Sequence, residues 1–231
     1  MKTLKLLTFL LTLLVVSSVY AQKSNDEIQV LVTKKNRDGK VKFDNGFYAG
    51  MSFGWTMIDG KSSFIIGPRV AWIANHYFAL GAGGGMFSNF MSMPRNDDYY
   101  PLDEYFMMGG YGGILLEPIV LAKHPVHVSF PVIIGGGFVA AQSKNGWNDY
   151  SYNGDYYNND VFFVFEPGAE LELNIAKFFR IALGGSYRLT NALDMQYKYF
   201  DEKTGEFTTI DIDKHALNAF NVKLSLKFGI F

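Results

Sequence analysis

The chain of 231 residues contains no cysteine. It can therefore form no disulfide, no thiolate metal site and no lipid-modified cysteine anchor. Neither sign of charge is in excess, with 21 Lys and Arg against 22 Asp and Glu. That balance lacks the electrostatic footprint of a nucleic-acid-binding protein, and no nucleic acid is expected among its partners. The chain also lacks any apolar run of about 18 residues, so no membrane-spanning helix is predicted. Asp97-Asp98 and Asp211-Ile212-Asp213 are acidic pairs without the spacing of a calcium loop. No metal or cofactor is expected. With only four histidines, there is little material for a hydrolytic site.

What is present begins with a processing segment. Residues 1–21 carry Lys2 and Lys5, an apolar stretch from Leu6 to Val16, and the small-x-small run Val19-Tyr20-Ala21 ahead of Gln22. This is the layout of a secretory signal peptide. Removing Lys2 and Lys5 leaves 19 basic against 22 acidic residues, a net charge of −3 for 22–231.

Next comes an alternation, Phe47-Tyr48-Ala49-Gly50-Met51-Ser52-Phe53-Gly54-Trp55-Thr56-Met57. Odd positions are apolar and mostly large; even positions are Tyr, Gly, Ser, Gly and Thr. Successive strand side chains point to opposite faces, so this strand has one greasy face and one small, polar face. The pattern recurs in eight segments, near 46–58, 63–74, 78–88, 105–118, 126–140, 161–174, 178–189 and 214–230. The connections alternate in kind. Asn75-His76-Tyr77, Leu121 to Pro125 and Ile175-Ala176-Lys177 are tight, whereas 89–104, 141–160 and 190–213 are long and polar. Asp59-Gly60-Lys61, on the long-loop side, reads as a hairpin turn. Backbone in lipid must satisfy itself by closing a sheet, so the expectation is an all-β, eight-stranded antiparallel up-and-down transmembrane barrel over 46–231. The tight turns would be periplasmic and the long loops extracellular. Residues 22–45 carry Lys34, Lys35, Arg37, Asp38, Lys40 and Lys42, too many charges for a membrane strand. They are expected in the periplasm, as a tail or a small hairpin.

An eight-stranded barrel is just wide enough to be filled by side chains. With the apolar phase outward, the lumen receives Arg69, Glu117, Glu166, Glu170, Glu172, Arg180, Ser186, Arg188, Asn221, Lys223, Ser225 and Lys227. A three-residue turn at 175–177 would put Glu172 opposite Arg180 and Gly168 opposite Gly184. Four Glu and five Arg or Lys nearly cancel, which reads as a structural ion-pair plug. A selective pore would more often be lined by one sign. This lumen, mostly charged and small, also argues against a channel for apolar solutes.

The chain resembles the small eight-stranded outer-membrane barrels of the OmpA, OmpX and OmpW kind over 46–231. The resemblance rests on the signal peptide, the eight alternating segments, the loop asymmetry, and the last strand with Phe220, Val222, Leu224, Leu226 and Phe228 ahead of Phe231. No peptidoglycan-binding domain is expected after it. The resemblance implies bacterial outer-membrane localisation, contact with outer-membrane lipid and lipopolysaccharide, and recognition of the last strand by the barrel-assembly machinery. Phe231 is out of phase with the lipid-facing even positions, so that signal is present in altered form. The expected role is non-enzymatic, structural or interactive. It would act through loops bearing Tyr99 and Tyr100 beside four acidic residues, and Trp147, Tyr150, Tyr152, Tyr156 and Tyr157. Such aromatics give large contact area at low entropic cost, for another outer-membrane or surface protein; they could equally form the upper interfacial girdle. The alternatives are a narrow channel for small solutes and a lipid-modifying enzyme. The latter would need His215 at the outer rim to meet Ser88, Ser92, Ser143 or Ser151.

Overall fold

A computed structural model of the chain describes residues 45–90, 105–143, 158–201 and 206–231. The expected signal peptide, the segment 22–44 and the loop aromatics Tyr99, Tyr100, Trp147, Tyr150, Tyr152, Tyr156 and Tyr157 lie outside the described residues.

The strands are β1 (Asn45–Ile58), β2 (Lys61–Ala74), β3 (Phe78–Ser88), β4 (Tyr105–Val120), β5 (Val126–Ser129), β6 (Val132–Ser143), β7 (Asn158–Ala176), β8 (Phe179–Thr190), β9 (Gln196–Asp201), β10 (Glu206–Asp211) and β11 (Ala219–Ile230). All pairing is antiparallel. Each barrel strand pairs with the next in sequence, and β11 closes the ring on β1. β5 and β6 are one stave broken at Phe130-Pro131, both pieces lying between β4 and β7. The ring therefore has eight staves, and its closure leaves it without a free edge.

Three boundaries differ from the expectation. The fifth stave is interrupted because Pro131 has no N–H to give to a ladder. The last stave begins at Ala219 rather than 214, because Asp213–Asn218 forms turns, with Ala216 N–H bonded to Asp213 O and Asn218 N–H to His215 O. The long connection before it is not featureless: β9 and β10 pair as a separate hairpin.

Alternation sets the two faces. In β1 the odd residues from Phe47 to Met57 point outward and are exposed, while Tyr48, Ser52, Thr56 and Ile58 are buried. Trp72, Phe138, Phe163, Leu171, Leu183 and Leu224 extend the outer apolar belt around the ring. Apolar outside and charged inside is the inverse of a water-soluble barrel, and it suits a hydrocarbon solvent. At the Asp59-Gly60 turn both residues have positive φ (51° and 70°), the geometry that matches the twist of a two-residue hairpin.

The β7–β8 register corrects the expectation for the ion pair. A bulge at Ile175 absorbs a residue and the turn tightens to Lys177-Phe178, so Asn174 rather than Glu172 lies opposite Arg180. Glu172 faces Ala182 and Gly168 faces Ser186. The slide is by two residues, so every inward side chain stays inward. Gly168 is also not spare room, since a Cβ there would meet Gly185 O and Ser186 Cβ at 3.0 Å.

Candidate functional site: the filled lumen

The lumen holds three layers between the short-turn end and the long-loop end. The first is built on Lys227, from β11. Its ammonium lies 2.5 Å from Glu117, 2.7 Å from Glu172 and 3.2 Å from Glu170, carboxylates brought in by β4 and β7. Arg69 from β2 pairs with Glu170 at 2.6 Å. Glu172 also receives His127 Nε2 at 3.1 Å and Arg180 Nη1 at 3.6 Å. The Tyr48 hydroxyl donates to Glu117. All of these side chains are buried. Glu172 and Arg180 thus do form a pair, reached diagonally rather than across facing positions.

Phe231 closes this layer. Its ring stacks on Tyr48 at 6.2 Å, and the Arg180 guanidinium lies over it at 3.8 Å. The phase that turns Phe231 away from the lipid belt is what delivers it to the lumen.

In the second layer Glu166 accepts hydrogen bonds from Lys223, from the Tyr111 hydroxyl and from Ser186 Oγ, the last at 2.7 Å. Asn221 donates to Ser186 at 3.1 Å. Inward glycines make room for the ring of Tyr111: a Cβ at Gly85 would sit 2.8 Å from its hydroxyl, and one at Gly137 2.7 Å from its Cβ.

The third layer is not charged and small, contrary to the sequence reading. Ile65, Phe87, Met107, Val139, Phe162 and Val164 point inward and are buried. They pack with Leu193, Met195, Ile212 and Leu217 from the β8–β11 connection, which folds into the mouth. Asp59 N–H on Ala216 O (2.8 Å) ties this connection to the β1–β2 turn, and Leu193 N–H on Lys214 O (2.9 Å) and Ile212 N–H on Met195 O (3.1 Å) hold its two arms together. The rings of Tyr197 and Tyr105 pack at a 37° tilt with centroids 5.1 Å apart, and the Tyr105 hydroxyl donates to Asp59 at 2.7 Å. The reason the sequence concealed this layer is that inward and outward residues are both apolar near the rim, as in Met107-Met108 and Phe162-Phe163, so the alternation is silent there.

Arg188 lies between the charged and apolar layers. Its Nε donates to Leu217 O at 2.8 Å and its Nη2 reaches Thr56 Oγ1 at 3.4 Å and Met57 O at 3.5 Å. The guanidinium lies over the rings of Phe87 (4.7 Å) and Tyr111 (5.8 Å).

The sequence reading passed over Tyr48, Tyr111 and His127. His127 was legible in the alternation Val126-His127-Val128-Ser129, which puts His and Ser inward. Tyr111 was not, because glycines flank it and give its strand no phase. Glu117, Glu170 and Glu172 offer ligand atoms within 4.8 Å of one another, the donor set of a hard cation. Lys227 already supplies the cation there. His215 hydrogen-bonds through its backbone N–H to Asp213 at 2.8 Å and its ring contacts Asn218 at 3.4 Å. Ser88 makes no hydrogen bond to it; of the other candidate serines, Ser92, Ser151 and the side chain of Ser143 lie outside the described residues.

No family model matches the sequence, and no curated protein is similar to it. Solved structures are. The major outer membrane protein from Thermus thermophilus is 8% identical with a TM-score of 0.50, over 81% of this chain and 100% of that one. Neisserial surface protein A is 7% identical (TM-score 0.47; 81% of this chain, 97% of that one). Ail, the attachment invasion locus protein of Yersinia pestis, is 11% identical (TM-score 0.44; 80% and 97%). The chain has the fold of the small eight-stranded outer-membrane β-barrels.

Proposed function

We propose that this protein resides in the bacterial outer membrane as a sealed, non-enzymatic barrel, and that its role is structural or interactive, exerted from the long-loop end. The short turns then face the periplasm. Its partners are outer-membrane lipid and lipopolysaccharide along the apolar wall, the barrel-assembly machinery during biogenesis, and a surface or outer-membrane protein at the loops. The observation that supports this reading is the filled lumen. Lys227 bridges three carboxylates across it at one level, and the folded-in connection occupies the mouth at another. Buried charges must find partners, so an interior in which both signs occur in nearly equal number is better read as packing than as a selectivity path.

Planar-bilayer recording tests the seal. The unmodified protein should show little steady conductance, and large ion-selective currents would replace this reading with that of a channel. Mild-detergent co-purification from outer membranes tests the interaction. A surface or envelope protein should remain bound, and its retention should fall when Trp147 and Tyr150 are changed to Ser.

A further inference from the structure

The inner charges do not balance. Four glutamates (Glu117, Glu166, Glu170 and Glu172) meet five basic side chains (Arg69, Arg180, Arg188, Lys223 and Lys227), all of them buried. Four of the cations form ion pairs with these carboxylates. Arg188 is the one that makes none among the described residues. It is fully buried, and its Nη1 has no hydrogen-bond partner among them. An unpaired charge in a low-dielectric interior is costly, and a bound anion would neutralise it.

What surrounds Arg188 defines the rest of the ligand. On one side are aromatic faces, Phe87 and Tyr111. Towards the long-loop end lies the apolar layer, filled in this structure by Leu193, Met195 and Leu217 from the β8–β11 connection. The connection presents to Arg188 a backbone carbonyl, Leu217 O, and its Leu193, Met195 and Leu217 side chains belong to the apolar cluster of the mouth. A partial negative charge attached to a hydrocarbon body is the pattern of an amphipathic anion.

We propose that Arg188 is the anchor of a binding site for a small amphipathic monoanion, a carboxylate with an alkyl chain, and that Leu217 O with the side chains of Leu193, Met195 and Leu217 is its built-in occupant. One carboxylate oxygen takes the place of Leu217 O on Nε and the second takes the neighbouring Nη2, a two-point edge that guanidinium favours, and the anion neutralises the charge. The alkyl chain takes the place of Leu193 and Leu217. The ion-pair layers beneath stay closed, so the site binds and does not conduct; it lies outside the sealed-barrel reading and does not depend on it.

Decanoate is the probe, with acetate and decanol as controls for charge alone and for chain alone. The full chain is placed in lipid nanodiscs, and the midpoint of its heat-modifiable migration on gels is read with and without each compound. A ligand that binds the folded state raises that midpoint. Decanoate should raise it by several degrees in the parent and by less in Arg188→Lys, and should leave Arg188→Gln unmoved. Equal shifts in the parent and Arg188→Gln, or with decanol, would overturn the proposal by showing bilayer partitioning only. A full shift with acetate would overturn the amphipathic assignment. Should Arg188→Gln fail to insert, a second arm decides. Asp59 and Ala216 are joined by a backbone hydrogen bond of 2.8 Å, and the chain has no native cysteine. The pair Asp59→Cys with Ala216→Cys, when oxidised, ties the β8–β11 connection in place. The decanoate shift should vanish in the oxidised protein and return on reduction; its persistence when oxidised would overturn the displacement.

Discussion

At the scale of residues, the lumen is decided by how many partners each charge has. Lys227 is the cation at the centre of Glu117, Glu170 and Glu172. Lys227→Ala would leave three carboxylates within 4.8 Å of one another with a cavity between them. Removing one partner of a buried ion pair costs about 3–5 kcal/mol, so the melting midpoint of the variant should fall steeply or the barrel should fail to form. The donor set that remains is one that calcium accepts. Refolding Lys227→Ala in millimolar calcium should therefore recover part of the lost midpoint, whereas refolding in sodium should not; equal yields in the two salts would show that the cavity collapses instead. Glu172 is in the opposite position, held by Lys227, His127 and Arg180 together. A double-mutant cycle on Glu172→Gln and Arg180→Met should give a small coupling, about 0.5–1 kcal/mol, at the low end of the range for residues in contact. A coupling of about 3 kcal/mol would mean that the two face each other directly, with a three-residue turn at 175–177.

At the scale of elements, each stave is a two-faced strip whose faces tolerate different changes. Leu171 is 55% exposed on the outer wall of β7. Leu171→Arg places a charge in the hydrocarbon and should cost about 2–4 kcal/mol if the residue lies near the bilayer midplane. Ser225 on β11 is buried inside, with no hydrogen-bond partner for its hydroxyl among the described residues. Ser225→Ala removes an unsatisfied polar group without opening a hole, so its stability should be unchanged or slightly raised. Urea unfolding from lipid vesicles, run on both variants, reads the difference; comparable losses would mean that the faces are assigned wrongly. The staves are also not uniform along their length. The β2–β3 ladder skips the two rungs at Gly67 and Pro68 and the β7–β8 ladder the two at Glu166 and Pro167, each gap containing a proline with no N–H to donate.

At the scale of the whole molecule, closure makes the sheet cooperative: every stave is paired on both sides, so none can leave without opening the ring. The protein should therefore migrate as a compact species on gels unless heated, and show β-rich far-ultraviolet dichroism in detergent. Helical dichroism, or recovery in the soluble periplasmic fraction, would refute the membrane barrel. The mouth should open independently of the staves. The β8–β11 connection touches the ring through apolar side chains and a few backbone bonds such as Asp59 N–H to Ala216 O. Leu193→Asp, which puts a charge into that contact, should raise proteolytic cleavage within 191–218 while leaving the heat-modifiable midpoint nearly unchanged. A parallel fall of both would show that the mouth and the staves melt as one unit.

Much of this was already written in the chain. Period-two alternation, with tight turns on one side and long polar connections on the other, determines an antiparallel ring with an apolar exterior. It also determines which charges turn inward, because a side chain's face depends only on counting along its own strand. For the same reason a register slip of two residues left the lumen assignment of Glu172 and Arg180 intact while changing which residues oppose them. Partnerships were decided by the tertiary structure alone. That Lys227 meets carboxylates from β4 and β7, or that Arg188 meets none among the described residues, depends on how staves distant in sequence converge across the barrel. The bulge at Ile175 and the apolar mouth were equally hidden. The first is a local competition between turn and ladder, and the second is built from residues whose two faces are alike. A strand pattern carries direction but not distance, and the chemistry of this lumen is set by distance.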